Sequence, residues 1–163
     1  MPRKRSQTAA EFLADPAYQA KVEAQAREHE VRLAEFRRVT APLAEELTAS
    51  GLPAGALETY CADVPELPPQ AVAALVSHLN HPQPPAAFEA IVRSLSRSDA
   101  RAARPALERV FVAEDEPNRR WLVANAIAAM AKLKEVSHLP GMSEYAKLFH
   151  RTPPKPPHRP PAA

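Results

Sequence analysis

The chain has 163 residues, 45% of them hydrophobic and only 6% aromatic, and a net charge of +2 at pH 7. That length suits one domain with tails, and its core must be mostly Ala, Leu and Val. Three glycines argue against Gly-rich phosphate loops, one cysteine (Cys61) excludes an internal disulfide or a multi-cysteine zinc site, and a balance so near neutrality is not that of a dedicated nucleic-acid binder.

Charge is unevenly placed. Residues 51–100 set Arg93 and Arg97 against five acids, whereas no acid follows Glu144 and the chain ends with Lys147, Arg151, Lys155 and Arg159. No β-branched alternating run of useful length appears, so an all-α protein is expected. Residues 1–7 are expected to be a basic, disordered lead; no apolar stretch follows Pro2-Arg3-Lys4-Arg5, so no signal peptide is expected. The longest apolar window, Trp121–Ala131, contains Asn125 and falls well short of the ~20 residues that span a bilayer. No membrane segment is expected, and the default location is the cytoplasm.

The domain is expected over 8–150, beginning with helices over 8–50. Thr8-Ala-Ala-Glu11 fits a capping box for a turn through Leu13. Asp15-Pro16 then reads as an N-cap with proline at the first helical position, and a long helix runs to Ser50, with Gly51 suited to follow its end. Pro42 should stop that helix near Thr40 or kink it. Val22, Ala26, His29, Leu33, Phe36, Thr40, Leu43 and Leu47 alternate spacings of four and three, the pattern either of a short coiled-coil seam or of a helix docked on its own domain.

From 53 to 133, prolines punctuate the chain at Pro53, Pro68-Pro69, Pro84-Pro85, Pro105 and Pro117. Apolar quartets recur between them, each expected on a short helix. Leu57, Tyr60, Cys61 and Val64 form the first, and Val72, Leu75, Val76 and Leu79 the second. Phe88, Ile91, Val92 and Leu95 follow, then Leu107, Val110 and Phe111, then Val123, Ala126, Ile127 and Met130. Val72 and Leu107 are 35 residues apart, and so are Phe88 and Val123. Two consecutive helices repeating at one offset indicate an α-solenoid of helical hairpins. The stretch Pro117–Leu133 reads as the most buried helix: Asp115 and Glu116 suit its N-terminus, Leu122, Ala129 and Leu133 widen its apolar arc, and five alanines allow close neighbours.

This pattern resembles HEAT-type repeats: Pro105 early in a first helix, Asp115 in the turn, and Arg119-Arg120 opening an alanine-rich second helix. Leu43–Leu133 also resembles small bacterial HEAT-repeat proteins, through Leu-Thr-Ala-Ser-Gly-Leu-Pro (47–53), Ile-Val-Arg-Ser-Leu (91–95) and Trp-Leu-Val-Ala-Asn-Ala (121–126). The resemblance implies a short HEAT-like α-solenoid with an N-terminal helical extension. After Leu133 a further helical pair would be normal, but only a short capping helix over 143–150 is offered, with Tyr145, Leu148 and Phe149, or another subunit, to cover the last face. Residues 151–163, with six prolines, are expected to form a disordered, extended tail of polyproline II character, and they carry two basic-flanked Pro-x-x-Pro patterns.

No enzyme chemistry is expected. His78 and His81 lack a third metal ligand nearby in sequence, Cys61 lies in an apolar quartet, and Glu45-Glu46 and Asp115-Glu116 are adjacent rather than facing pairs. No cofactor motif is present. In such an array second helices line a concave face, where Arg93, Arg97, Arg120, Trp121, Asn125 and Lys132 would gather; Trp and Arg are frequent anchors for protein partners. The leading expectation is a non-enzymatic protein-binding scaffold. A HEAT-like nucleic-acid binder using basic concave residues and tails is the second, and a lyase-type enzyme, of the bilin-attachment kind found on HEAT-like repeats, the third.

Overall fold

The computed structural model describes residues 15–150 together with Leu13. The basic lead, the capping box at Thr8 and the proline-rich tail lie outside the described residues. Among the described residues all regular structure is helical, and there is no strand. The all-α expectation therefore holds. The chain divides into two units, Met1–Ala41 and Pro42–Ala163.

The first unit contributes most of helix α1 (Pro16–Ala49). Asp15 caps it as expected, Oδ1 accepting from the Ala17 N–H at 2.9 Å with Pro16 at the first position. Every side chain from Gln19 to Arg32 is exposed, and pairs such as Glu28–Arg32 (3.4 Å) and Glu35–Arg38 (2.7 Å) support the helix locally. The heptad stripe does not behave as one seam. Val22, Ala26 and His29 are exposed, Leu33 and Phe36 half-buried, and Leu43 and Leu47, which belong to the second unit, sink into its core.

Helix α1 does not stop at Pro42. Interior proline costs roughly 3 kcal/mol. Burial of Leu43 and Leu47 just beyond it offsets that at roughly 1.5–3 kcal/mol each. The helix ends as the sequence indicates. Gly51 adopts φ +93, its N–H donates to the Thr48 carbonyl, and the Leu52 N–H donates to the Leu47 carbonyl at 3.1 Å. This is a Schellman closure, with buried Leu47 and Leu52 as its apolar pair.

The first quartet departs from expectation. Only a 3-10 turn forms, Ala56–Thr59, before Tyr60 and Cys61 enter the left-handed region at φ 54 and 55. The Tyr60 N–H donates to the Leu57 carbonyl and that of Cys61 to the Ala56 carbonyl, so the same kind of closure ends the turn early. Leu57 and Cys61 are buried, but Tyr60 faces solvent.

Helices α2 (Pro69–Leu79) and α3 (Pro85–Leu95) start alike. The first proline of each pair, Pro68 or Pro84, is extended (ψ 143 and 149), as a residue before proline must be, and the second occupies the first turn. A 3-10 segment (Ser98–Ala103) leads into α4 (Arg104–Ala113), and α5 (Pro117–Met130) follows. Glu116 caps α5, its carboxylate accepting from the Asn118 and Arg119 N–H groups at 3.0 and 2.7 Å. Those bonds hold its pKa below the usual glutamate value.

Helix α5 is the hub. It packs on α3, on α4, on the Ser98–Ala103 segment and on a final 3-10 segment (Met142–His150). Val123, Ala126, Ile127 and Met130 are buried as expected, together with Leu122 and Ala124. Ala129 is exposed, so the apolar arc is narrower on that side. The helix closes at Met130: Ala131 is extended, and Leu133, expected as its last residue, instead opens the single turn α6 (Leu133–Val136).

Pairing follows sequence order, α2 on α3 and α4 on α5, and α3 packs directly on α5. Ser98–Ala103 packs on both α2 and α4, its Ala100 and Ala103 wholly buried. The C-terminal segment is 3-10 rather than α-helical; Leu148 is buried, and Tyr145 meets Phe111 edge-on with centroids 5.6 Å apart.

Because a Cβ at Gly51 would meet no atom within 4 Å, its requirement is conformational alone. Gly51→Ala is expected to destabilise the protein by about 1 kcal/mol, and Gly51→Asn by less. Urea unfolding midpoints at unchanged slope check this.

Candidate protein-binding groove

The six residues selected from sequence separate into two groups. Arg93 lies on the exposed side of α3, its Nε 2.7 Å from Glu89 Oε1 one turn earlier. Its guanidinium carbon stands 5.3 Å from the centroid of the Tyr60 ring, within cation–π range. Trp121, in the second turn of α5, is 42% exposed, and Tyr60 is 40% exposed. Two depressions adjoin at Arg93. One, of about 380 Å³, is lined by Phe88, Glu89, Arg93, Glu116, Arg119 and Trp121 among others. The other, of about 390 Å³, includes Tyr60, Arg93, Ser96, Arg97 and Asn125. Arg93, Trp121 and Asn125 thus come together along one groove over α3 and α5, with Tyr60 against Arg93 at one end.

The packing that builds the core also builds this groove. Direct contact between α3 and α5 places Glu89 and Arg93 beside Trp121 and Asn125. Phe88 is buried, and the Arg119 guanidinium stacks 3.8 Å from its ring centroid while its Nε lies 3.1 Å from Glu114 Oε2. Tyr60 is held outward by its left-handed backbone. Such geometry at a non-glycine costs of order 1–2 kcal/mol and persists only where neighbours over-determine it.

Arg97 is not a free anchor. Helix α3 ends at Leu95 and Arg97 is extended (φ −141, ψ 148), so it does not share a helix face with Arg93. Its Nη1 donates to the carbonyls of Cys61 and Val64, both at 2.8 Å, and its Nη2 to that of Pro65 at 2.9 Å. Nε and Nη2 also grip Asp99 at 3.0 and 2.9 Å. With its side chain only 20% exposed, this guanidinium ties the irregular 61–65 stretch to the end of α3. Asp99 completes the tie by accepting from the Leu67 N–H at 2.9 Å. The Arg97 hydrogen bond, aided by that N–H, holds the Asp99 carboxyl below its ordinary pKa.

Arg120 is also committed elsewhere. It donates to the Pro140 carbonyl at 2.8 Å and lies 4.7 Å from the Phe111 ring centroid. Gly141 lets it pass: a Cβ there would come within 2.6 Å of Arg120 Nη2. Lys132 lies beyond the end of α5, in the extended residue before α6, and so leaves the helix side it was expected to share with Trp121. Neither residue lines the groove's two depressions.

Tyr60, Glu89 and the stacked Phe88–Arg119 pair escaped sequence reasoning. Glu89 stands four residues before Arg93, which was signal enough for that pair. Tyr60 gave none, since its outward placement depends on a turn where an apolar quartet suggests a helix.

Cys61 is fully buried, and burial pushes its thiol pKa up despite the nearby charge of Arg97. His78 Nε2 lies 3.1 Å from Glu46 Oε1. Among the described residues no group of three or more His, Cys, Asp or Glu is placed to hold a metal ion, and no helix is long and apolar enough to cross a membrane. Comparison of the chain with protein-family models, curated proteins and solved structures finds no match.

A carboxyl whose folded pKa is depressed adds stability above its unfolded pKa, and that stability is lost as pH falls through the folded value. Asp99→Asn should therefore cost about 1–2 kcal/mol at pH 7. It should also flatten the fall in stability below about pH 4, where the unfolded carboxyl titrates. Urea melts of both proteins from pH 7 to pH 2.5 measure this.

Proposed function

We propose that the second unit is a non-enzymatic interaction module that binds a protein partner along the groove carrying Tyr60, Arg93, Trp121 and Asn125. One observation carries it: on the helix that is otherwise the centre of the core, the chain's only tryptophan stands 42% exposed and lines one depression with Arg93 of α3, whose side chain is 46% exposed beside Glu89. An exposed aromatic and an arginine on a rigid support are the usual anchors of a protein interface. Because α5 is fixed on several sides, those anchors need little ordering on binding, which lowers the entropic cost of association.

Within this proposal the unit is a short HEAT-like solenoid. Helices α2/α3 form one hairpin and α4/α5 the next, and the groove lies along their second helices. In support, both hairpins repeat at an offset of 35 residues and their second helices pack on each other. The helices do not repeat in full. A 3-10 segment packs on both first helices, and the stretch before α2 is irregular. Nucleic-acid binding is the weaker proposal, because residues 42–150 carry 13 acids against 10 Lys and Arg. Phosphate-contacting surfaces are typically basic.

Affinity capture with the intact chain, scored for protein and for nucleic acid, tests the proposal. Trp121→Ala is expected to lose bound protein, with affinity falling about 30-fold for a central anchor worth about 2 kcal/mol. Its thermal midpoint should stay close to that of the parent. A stability loss of several kcal/mol, on the scale of core truncation, would mean that the tryptophan is a packing residue and the groove is not the site.

A further inference from the structure

We propose that the groove's partner is an acidic peptide segment in extended conformation, its carboxylate forked by Arg93 and its backbone held by Asn125. The proposal rests on the groove being a protein-binding surface, and it names the class of segment bound there.

Two uncommitted polar groups in the groove carry it. Arg93 bonds Glu89 through Nε alone, and neither Nη has a hydrogen-bond partner among the described residues. The guanidinium is nevertheless placed, between Glu89 at 2.7 Å and the Tyr60 ring centroid at 5.3 Å. Its two Nη atoms therefore present the end-on fork that takes both oxygens of a carboxylate. The second group is the Asn125 amide, half-buried on α5 and also without a hydrogen-bond partner among the described residues. A primary amide sets a carbonyl beside N–H donors. It complements the N–H and C=O that one residue of an extended chain turns to the same side. A helical segment spends both groups internally, and proline has no N–H. Asn125 thus selects an extended residue other than proline.

Charge points the same way. The two depressions are lined by Arg93, Arg97 and Arg119 against Glu89 and Glu116. Glu116 is turned to the start of α5, where both its oxygens accept backbone N–H groups. The Glu89–Arg93 pair is half-exposed, and such pairs are too weak to hold Arg93 from an incoming carboxylate. A nucleic-acid backbone would need several free cations in register. Arg97 cannot serve, since Nε and both Nη atoms are already engaged.

The groove's layout fixes the form of the segment. Its two depressions meet at Arg93, one holding Trp121 and the other Asn125, so the ligand continues past Arg93 on both sides. The acid is therefore a side chain within a segment and not a chain terminus. Trp121 and Asn125 stand one turn apart on α5, about 6 Å, which about two residues of extended chain cover. Successive side chains of such a chain point to opposite sides. An acidic residue meeting Arg93 on α3 is then flanked by an apolar one meeting Trp121 on α5.

The intact chain is used to select from a displayed library of random linear peptides, with the Trp121→Ala protein as counter-selection. Enriched sequences are expected to share Asp or Glu beside an apolar residue. A synthetic copy lacking tryptophan is then titrated against the emission of Trp121, the chain's only tryptophan. Replacing the shared acid by its amide should weaken binding about tenfold, and N-methylation of one backbone amide about fivefold. Arg93→Gln should remove the sensitivity to the first change and Asn125→Ala the sensitivity to the second, with circular dichroism unchanged.

Enriched sequences without an acid would overturn the proposal. So would peptide changes that cost the same on Arg93→Gln and Asn125→Ala as on the parent. Either result leaves Trp121 as an anchor, so the acidic segment can fail while the binding surface survives. A mixed-sequence oligonucleotide that displaces the peptides and itself needs Arg93 would overturn it in favour of phosphate. A selection that enriches nothing over Trp121→Ala also overturns it, and protein capture alone then judges the groove.

Discussion

Burial of helix α5 on several sides at once is the constraint from which the rest follows. Its position against α3, α4 and two 3-10 segments leaves Val123, Ala124, Ala126 and Ile127 with no exposure. Large side chains at every contact would force the neighbours apart, and alanines let them close to van der Waals distance. The same packing leaves α5 one open side near its N-terminus. There Trp121 and Asn125 emerge beside α3. Core and groove are two sides of one helix.

A chain with three glycines and 6% aromatic residues has few conventional means of fixing its irregular stretches. It uses arginine instead. Arg97 holds 61–65 through three carbonyls and Asp99. Arg104 joins α4 to α6 through Glu135 at 3.1 Å and is held in place by Glu108 of its own helix at 2.6 Å. Arg120 secures the turn at Pro140. Backbone carbonyls left open by irregular chain need donors, and a guanidinium brings five in one plane. Two arginines that look like surface anchors in the sequence, Arg97 and Arg120, are spent on this work, which leaves Arg93 as the one beside Trp121.

What the sequence revealed, and what it hid, divides along physical lines. Local rules with strong steric content were legible: Asp15-Pro16, the doubled prolines opening α2 and α3, Glu116-Pro117 and Gly51 each stand where expected. The buried face of α5 was legible too, because helical periodicity survives without knowledge of its partners. Tertiary compensation was not. Pro42 inside a continuous helix is tolerated because distant packing holds Leu43 and Leu47. Tyr60 and Cys61 in left-handed geometry reflect a closure that no glycine announces. The end of α5 at Met130 carries no local breaker, and Lys132 left the expected face for that reason. Within the candidate site, Arg93, Trp121 and Asn125 come together along the groove, whereas Arg97 and Lys132, each two residues past a helix end, and Arg120, turned to the Pro140 carbonyl, do not join them as free groups.

Native-state hydrogen exchange tests most directly whether α5 organises the second unit. Amides from Val123 to Ile127 should be the slowest in the chain and open only with global unfolding, in step with the α3 amides from Ala90 to Leu95. Those from Gln19 to Arg32, on an exposed helix, should exchange far faster. If the α5 amides open at a lower free energy than those of α2 or α4, another element holds the unit together, and a groove built on α5 loses its rigid support.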